Sequence, residues 1–278
     1  MKKDRTNLIL VLIFIIGLSV VLYPTVSDYW NSRTQSRAIA SYSETVATMD
    51  EEDYNEVFAA AESYNQALGK VKMPFVNFDQ VEGYEELLDV SGTGIMGYVT
   101  IEKIRVELPI YHGTEDSVLQ IAAGHLQGSS LPVGGKGTHS VISAHRGLPS
   151  AKLFTDLGEL EEGDTFTVTV LNRKLTYRVN QIRIVEPQEI QELEIDPEED
   201  YCTLMTCTPY GINSHRLLVR GIRIASDDAG EYIPAEAYQV NTTSVAIGIM
   251  VILLLLSLIV LAAIQQYRVR RRTGRRKE

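Results

Sequence analysis

The chain has 278 residues, a formal net charge of −10 and two cysteines, with 45% hydrophobic residues. The basic residues concentrate at the two ends ("MKKDR" and "RVRRRTGRRK"), so the part between them is more acidic than the whole. Such acidity argues against a nucleic-acid or anionic-surface binder, whose affinity comes from clustered Lys and Arg.

In chain order, the first predicted element is an uncharged run, Leu8–Tyr23 ("LILVLIFIIGLSVVLY"). With its neighbours from Thr6 to Val26 it reaches across a bilayer core of about 30 Å. A second run, Ser244–Ile264 ("SVAIGIMVILLLLSLIVLAAI"), reads as a transmembrane helix rather than a buried core helix. Lys2, Lys3 and Arg5 before the first span and the basic tail after the second put both termini in the cytoplasm. Everything between the spans is then extracytoplasmic. Thr25 and Ser27 form a weak small-x-small cleavage site, so a cleaved signal peptide stands as the alternative to an uncleaved anchor. An apolar tail with a basic end also terminates proteins destined for wall attachment, but Ile233–Ala237 ("IPAEA") lacks the Thr-Gly of such a signal.

Residues 32–69 predict two short amphipathic helices packed antiparallel. Ile39, Tyr42, Val46 and Met49 share one face; Val57, Ala61, Tyr64 and Leu68 share another. Asp50–Glu52 separate them and Gly69 stops the second. Residues 70–89 show no period and carry Pro74 and Gly83, which predicts an ordered loop. From Gly97 the period becomes that of strands: "GYVTIEKIRV", "LPIYHG", "THSVISAH", "TFTVTVL", "KLTYRVNQIRIVE", "YCTLMTC" and "HRLLVRGIRI". "SVLQIAAG" and "LFTDLGEL" are short helical interruptions. At least seven strands in this space predict a closed barrel or a sandwich.

Both cysteines fall in one predicted strand. Cys202 and Cys207 are five residues apart, about 16 Å in extended chain, whereas a disulfide needs Cα atoms within about 7 Å. Their odd offset also points them to opposite faces. Cys202, in an apolar run, reads as a small buried hydrophobe. Cys207 ends the strand at a loop, where a thiol can meet substrate. In the hairpin that follows, Arg216 faces Cys207 across the loop base, Arg220 lies deeper opposite Thr203, and His215 points away. Among His112, His125, His139, His145 and His215, the choice for a base is His145, the last residue of its strand before "RGLPSA". His139 shares its parity at the far strand end, and His125 sits in a Gly-flanked loop.

"TLMTC" (Thr203–Cys207) with Arg216 beyond it, together with "HSVISAHRGLPSAKLFTDL" (His139–Leu157), resembles the sortases, membrane-anchored cysteine transpeptidases of Gram-positive bacteria. The helices before the strands, "GHLQGSSLPVGG" (Gly124–Gly135) and the second span resemble class C, the pilus-assembling sortases. The resemblance implies a mainly β fold, an eight-stranded sortase-type barrel with an N-terminal helical hairpin and two terminal transmembrane helices. It divides the chain into a cytoplasmic flank (1–5), a transmembrane helix or signal anchor (6–26), a helical region (27–69), a lid-type loop (70–92), the catalytic barrel (93–226), a linker (227–243), a second span (244–264) and a basic tail (265–278).

The same resemblance makes Cys207 the nucleophile that forms an acyl-thioester, His145 the general acid/base, and Arg216 the cation facing the developing oxyanion. Thr206 is expected to touch substrate. It implies no cofactor and no metal. The implied partners are surface or pilin proteins with a Leu-Pro-x-Thr-Gly-like sorting signal, the lysine amine of an acceptor pilin, and the cell membrane. One departure stands out. Many class C members carry an Asp-Pro-aromatic lid; here the match is Met73-Pro74-Phe75, without the acid. Phe75 is expected to cover Cys207 by apolar contact alone, with Asp79 a weaker candidate for the missing charge. The competing readings are a sortase that anchors proteins to the wall and a non-catalytic receptor or scaffold.

Overall fold

In the computed structural model of the chain, residues 2–224 are described, together with Ile252 and Leu255. The second predicted span, the linker and the basic tail fall outside the other described residues. Eight strands close into a barrel: β1 (Ile95–Ile101), β2 (Val106–His112), β3 (Ala123–His125), β4 (Thr138–Ser143), β5 (Thr165–Val170), β6 (Arg173–Val185), β7 (Asp200–Thr208) and β8 (His215–Arg223). Their order around the barrel is β1-β2-β3-β4-β7-β8-β6-β5. The pairings β2–β3 and β4–β7 are parallel and the others antiparallel. One rim therefore gathers the ends of β1, β4, β6 and β7 with the starts of β2, β3, β5 and β8.

Two strand boundaries differ from the sequence reading. The run "GYVTIEKIRV" is split by a 3-10 turn, Glu102–Ile104, closed by Arg105 in a left-handed conformation (φ 53°). No Gly or Asn announces that turn, so it reads as continuous strand. Likewise "SVLQIAAG" begins as a helical turn, α3 (Asp116–Leu119), but its end belongs to β3, which also takes His125 out of a loop. Three residues paired on both sides carry no alternation to detect.

The N-terminal region also differs. α1 is one helix, Lys2–Val46, running through Pro24, so the apolar span and the first amphipathic segment are continuous. Ser27–Arg37 contain neither Gly nor Pro, and nothing in that stretch ends a helix. α2 (Glu51–Leu68) starts at Asp50, whose carboxylate accepts from the amides of Glu52 and Asp53 while Asp53 reaches back to the Asp50 amide. The helices bury Tyr42, Val46, Phe58, Ala61 and Leu68 in the same core as the barrel rather than in a hairpin of their own.

Polar ties fix these helices to the barrel. Asn65 donates to the Leu131 carbonyl and accepts from its amide, at 3.1 and 2.7 Å. The Arg173 guanidinium lies 3.5 Å from the centre of the Phe58 ring. The buried Tyr42 hydroxyl donates to the Met96 carbonyl (3.1 Å) and accepts from the Leu171 amide (2.9 Å).

Two histidines are structural. His125 is fully enclosed, its ring nitrogens facing the Tyr84 hydroxyl (2.9 Å) and the Ser130 carbonyl (2.8 Å). His139 bridges the Glu194 carbonyl (2.9 Å) and the Thr203 hydroxyl (2.7 Å). Burial disfavours their charged forms and lowers each pKa from 6.5 to about 4.

Two predictions follow from these buried groups. Tyr42→Phe removes one hydroxyl and strands a buried amide and a buried carbonyl, so unfolding free energy should drop by about 1–3 kcal/mol in thermal or urea titration. For the histidines, the folded pKa lies below the unfolded one, so their contribution to stability is complete above about pH 6.5 and is lost as pH falls toward 4. The urea midpoint should decline across that window, and His139→Gln should flatten the decline by on the order of 2 kcal/mol.

Candidate active site

The site is built on the outer face of the barrel, at the rim where β4 and β7 end and β8 begins. β7 alternates: Cys202, Leu204, Thr206 and Thr208 are buried, while Met205 and Cys207 are half-buried on the outer face. Cys202 and Cys207 are both free thiols, and only Cys202 is enclosed. Burial, with the Asp200 carboxylate adding to it, pushes the Cys202 thiol up, so it stays neutral and inert. The opposed directions expected from their five-residue offset are those of the strand.

Two neighbouring strands complete a row across Cys207. On β8, Arg216 is its direct register partner, and Thr203 pairs with Arg220. On β4, the parallel register matches Ser143 with Met205. The ladder continues one residue past the strand, since the Ala144 amide donates to the Met205 carbonyl (3.1 Å). His145 then falls opposite Cys207, two residues beyond the end of β4 rather than at its last position. Adjacent strands lie about 4.8 Å apart, and directly opposed Cβ atoms about 5 Å apart, so the register places the positions of His145 and Arg216 on either side of Cys207.

Each member is held from behind. The His145 carbonyl accepts from the Phe154 amide (3.1 Å), and the next residue, Arg146, donates to the Thr208 hydroxyl (3.1 Å). Thr206, expected to touch substrate, is a correction: it is one residue out of phase with Cys207, so it faces inward. Its buried hydroxyl donates to the Ala144 carbonyl at 2.7 Å, next to His145. It supports the histidine from inside the barrel. Arg216 donates to the carbonyls of Asn213 (3.3 Å) and His215 (3.2 Å) and makes no ion pair among the described residues. The Nε2 of His145 lies 3.9 Å from a carboxylate oxygen of Asp116, at the start of α3. Asp116 was invisible as a site residue in the sequence, because only the folded β2–β3 connection brings it to the rim. His112 and His215 stand apart from the row: His112 faces the carbonyls of Gly94 and Leu87, and His215 pairs with Ser214.

Below the row the outer face is apolar. Val141, Leu193 and Leu218 form a small cluster joined by Phe75, Leu126, Val185 and Met205. It walls a cleft of about 410 Å³ that reaches Arg216. Phe75 thus lies over the Met205–Leu218 pair, one step along the sheet from Cys207–Arg216. Its segment is a tight turn. Met73 has φ 55°, and its carbonyl accepts from the amides of Val76 and Asn77. The turn rests on Gly128, where an added Cβ would come within 2.8 Å of the Pro74 carbonyl oxygen and 2.9 Å of the Phe75 Cα. Met73 is exposed, and Asp79, also exposed, makes no ion pair with Arg216 among the described residues. No group of three His, Cys, Asp or Glu side chains among the described residues could hold a metal ion.

A half-buried thiol whose neighbours in register are a histidine and an arginine, the arginine also lining a cleft, is equipped for nucleophilic acyl transfer. Known proteins point the same way. Residues 99–224 match the family described as the sortase domain. The chain is 46% identical to crystalline sortase C1 from Streptococcus agalactiae, covering 69% of itself and 100% of that chain at a TM-score of 0.63. It is also 46% identical to a Streptococcus pneumoniae sortase C whose structure is described as bearing on catalysis and pilin substrate specificity (68% of this chain, 97% of that one, TM-score 0.62). A curated relative, sortase D of Bacillus subtilis strain 168, is 27% identical over 180 residues, 64% of this chain and 85% of its own length. The chain belongs to the sortase family of cysteine transpeptidases, with class C sortases among its structural neighbours.

Proposed function

We infer that this sortase is a membrane-anchored, class C enzyme that polymerises pilins. The observation that carries the chemistry is the His145–Cys207–Arg216 row, whose Arg216 also lines the cleft. In this reading the Cys207 thiolate attacks the Thr–Gly carbonyl of a Leu-Pro-x-Thr-Gly-like signal. The new oxyanion faces the Arg216 guanidinium, which pairs with no carboxylate among the described residues. Collapse breaks the C–N bond, and the His145 imidazolium gives its proton to the departing glycine amine. The acyl group is then a thioester on Cys207. A lysine amine of the next pilin attacks it, His145 takes the proton, and the thiolate leaves, giving an isopeptide bond; attack by water gives hydrolysis.

The pilin reading is supported by likeness to class C relatives and by the helices and lid-type loop ahead of the barrel. The membrane reading is supported by α1, whose apolar stretch is long enough to span a bilayer and is not buried in the fold. Phe75 serves as an apolar lid without an ionic latch, seated by Val141, Leu193 and Leu218.

Incubating the chain with a Leu-Pro-x-Thr-Gly peptide should leave an acyl adduct on Cys207 by mass spectrometry, absent in Cys207→Ala. A pilin fragment with a free lysine should convert that adduct into an isopeptide product. Arg216→Ala and His145→Ala should each lower turnover by about 10²-fold or more. An adduct elsewhere, or none with intact protein, overturns the assignment. Phe75→Ala should raise the rate of Cys207 alkylation by about threefold to tenfold, the effect of removing apolar cover worth roughly 1 kcal/mol. An unchanged rate would mean that the ring does not gate the thiol.

A further inference from the structure

The hydrogen bonds made by α1 fall in two groups, and each group belongs to a different end of the barrel. Near its membrane side, the Asp28 carboxylate accepts from the Lys152 amide (2.7 Å), Asn31 donates to the Ser150 carbonyl (2.7 Å), and Gln35 donates to the Ile121 carbonyl (2.7 Å). Ser150 and Lys152 belong to the loop that follows His145, and Ile121 precedes β3. Lys152 also donates to the carbonyl of Ile104, in the β1–β2 turn. All three segments lie at the rim that carries Cys207 and Arg216. Farther along the helix, Tyr42 holds Met96 and Leu171, at the start of β1 and the end of β5, which is the opposite rim.

The lengths agree with a helix laid along the barrel wall. Asp28 to Tyr42 spans about 21 Å at 1.5 Å per residue, close to the roughly 23 Å of a seven-residue strand. On the other side of Asp28, the large side chains of the apolar span (Leu12, Ile16, Val21, Val26) are all exposed. Asp28 is two residues beyond Val26 and Gln35 nine, so the three ties sit about 3–14 Å along the helix from the end of the apolar stretch. The headgroup layer is about 5–8 Å deep on each side, so the ties begin within it and end just beyond it. Tyr23 and Trp30, 57% and 69% exposed, stand on either side of the end of the apolar stretch, where aromatic side chains collect at membrane interfaces.

We propose that α1 holds the barrel with its catalytic rim turned toward the bilayer, through Asp28, Asn31 and Gln35, so that the rim meets the lipid headgroups and the opposite rim faces away. This rests on the reading of α1 as a membrane anchor. The orientation brings the thiol close to polypeptide emerging from the same membrane. It also makes the helix a positioning element for the His145 loop, since two of its three ties grip that loop.

The test uses the full chain in phospholipid nanodiscs with a nitroxide on the lipid headgroup. One sample carries a bimane on Cys207, Cys202 being enclosed. Another carries it on Asn172→Cys in a Cys207→Ser background; Asn172 is exposed in the β5–β6 turn at the far rim. Trp30, the only tryptophan, reports on the helix itself. The expected result is Trp30 quenched and the Cys207 label quenched at least about twofold more than the Asn172→Cys label, because about 20 Å of barrel separates the two rims. Trp30 quenched with the two labels equal, or in reversed order, overturns the orientation alone. Trp30 unquenched removes the anchor and the orientation with it.

Discussion

The chemistry proposed for this protein depends on the register of three strands. The proposal needs an imidazole and a guanidinium beside Cys207 on the same face, and those groups come from points 62 residues before and nine residues after it in the sequence. The β7–β8 hairpin sets the second relation locally, through the six-residue connection and its loop carbonyls. The parallel β4–β7 pairing sets the first, across an intervening pair of strands and their loops. A slip of one residue in that pairing would turn His145 to the inside of the barrel, because side chains alternate with period two. The buried bonds Thr206–Ala144 and His139–Thr203 pin the pairing at both ends.

Those pins are polar groups kept inside a dry wall, and the surroundings hold them neutral. His139 and His125 are uncharged over the physiological range because the loss of hydration on protonation outweighs what the Glu194 and Ser130 carbonyls return. His145 differs from them in position: it lies just past the strand, at the rim, and is half-buried. The fold therefore places one residue type in two settings, as an enclosed bridge and, in the proposed mechanism, as a proton carrier.

The Met73-Pro74-Phe75 segment rests on apolar contact: Met73 is exposed, and no carboxylate among the described residues pairs with Arg216. Phe75 is held instead by a hydrophobic cluster and by the close approach of its backbone to Gly128. The guanidinium is left with carbonyl partners only, which leaves its charge available to substrate. α1 plays a comparable part on the other side of the histidine, gripping the loop after His145 through side chains that follow directly on the apolar span.

The sequence by itself determined a good deal. Length and charge-free runs mark the first span; alternation marks six of the strands nearly to the residue; parity separates the two cysteines and pairs Cys207 with Arg216. These are local properties, carried by neighbours within one strand or hairpin. What only the tertiary structure decided depends on contacts between distant segments: that β3 exists, that α1 runs unbroken into the barrel wall, that Thr206 supports His145 from inside, and that Asp116 comes to the rim. A three-residue strand has no period to read, a polar helix surface resembles a loop until something packs on it, and a parallel partner 62 residues away leaves no mark on local spacing. The physical reason is the same throughout: short-range pattern encodes which face a residue takes, whereas closure of the barrel selects which faces meet.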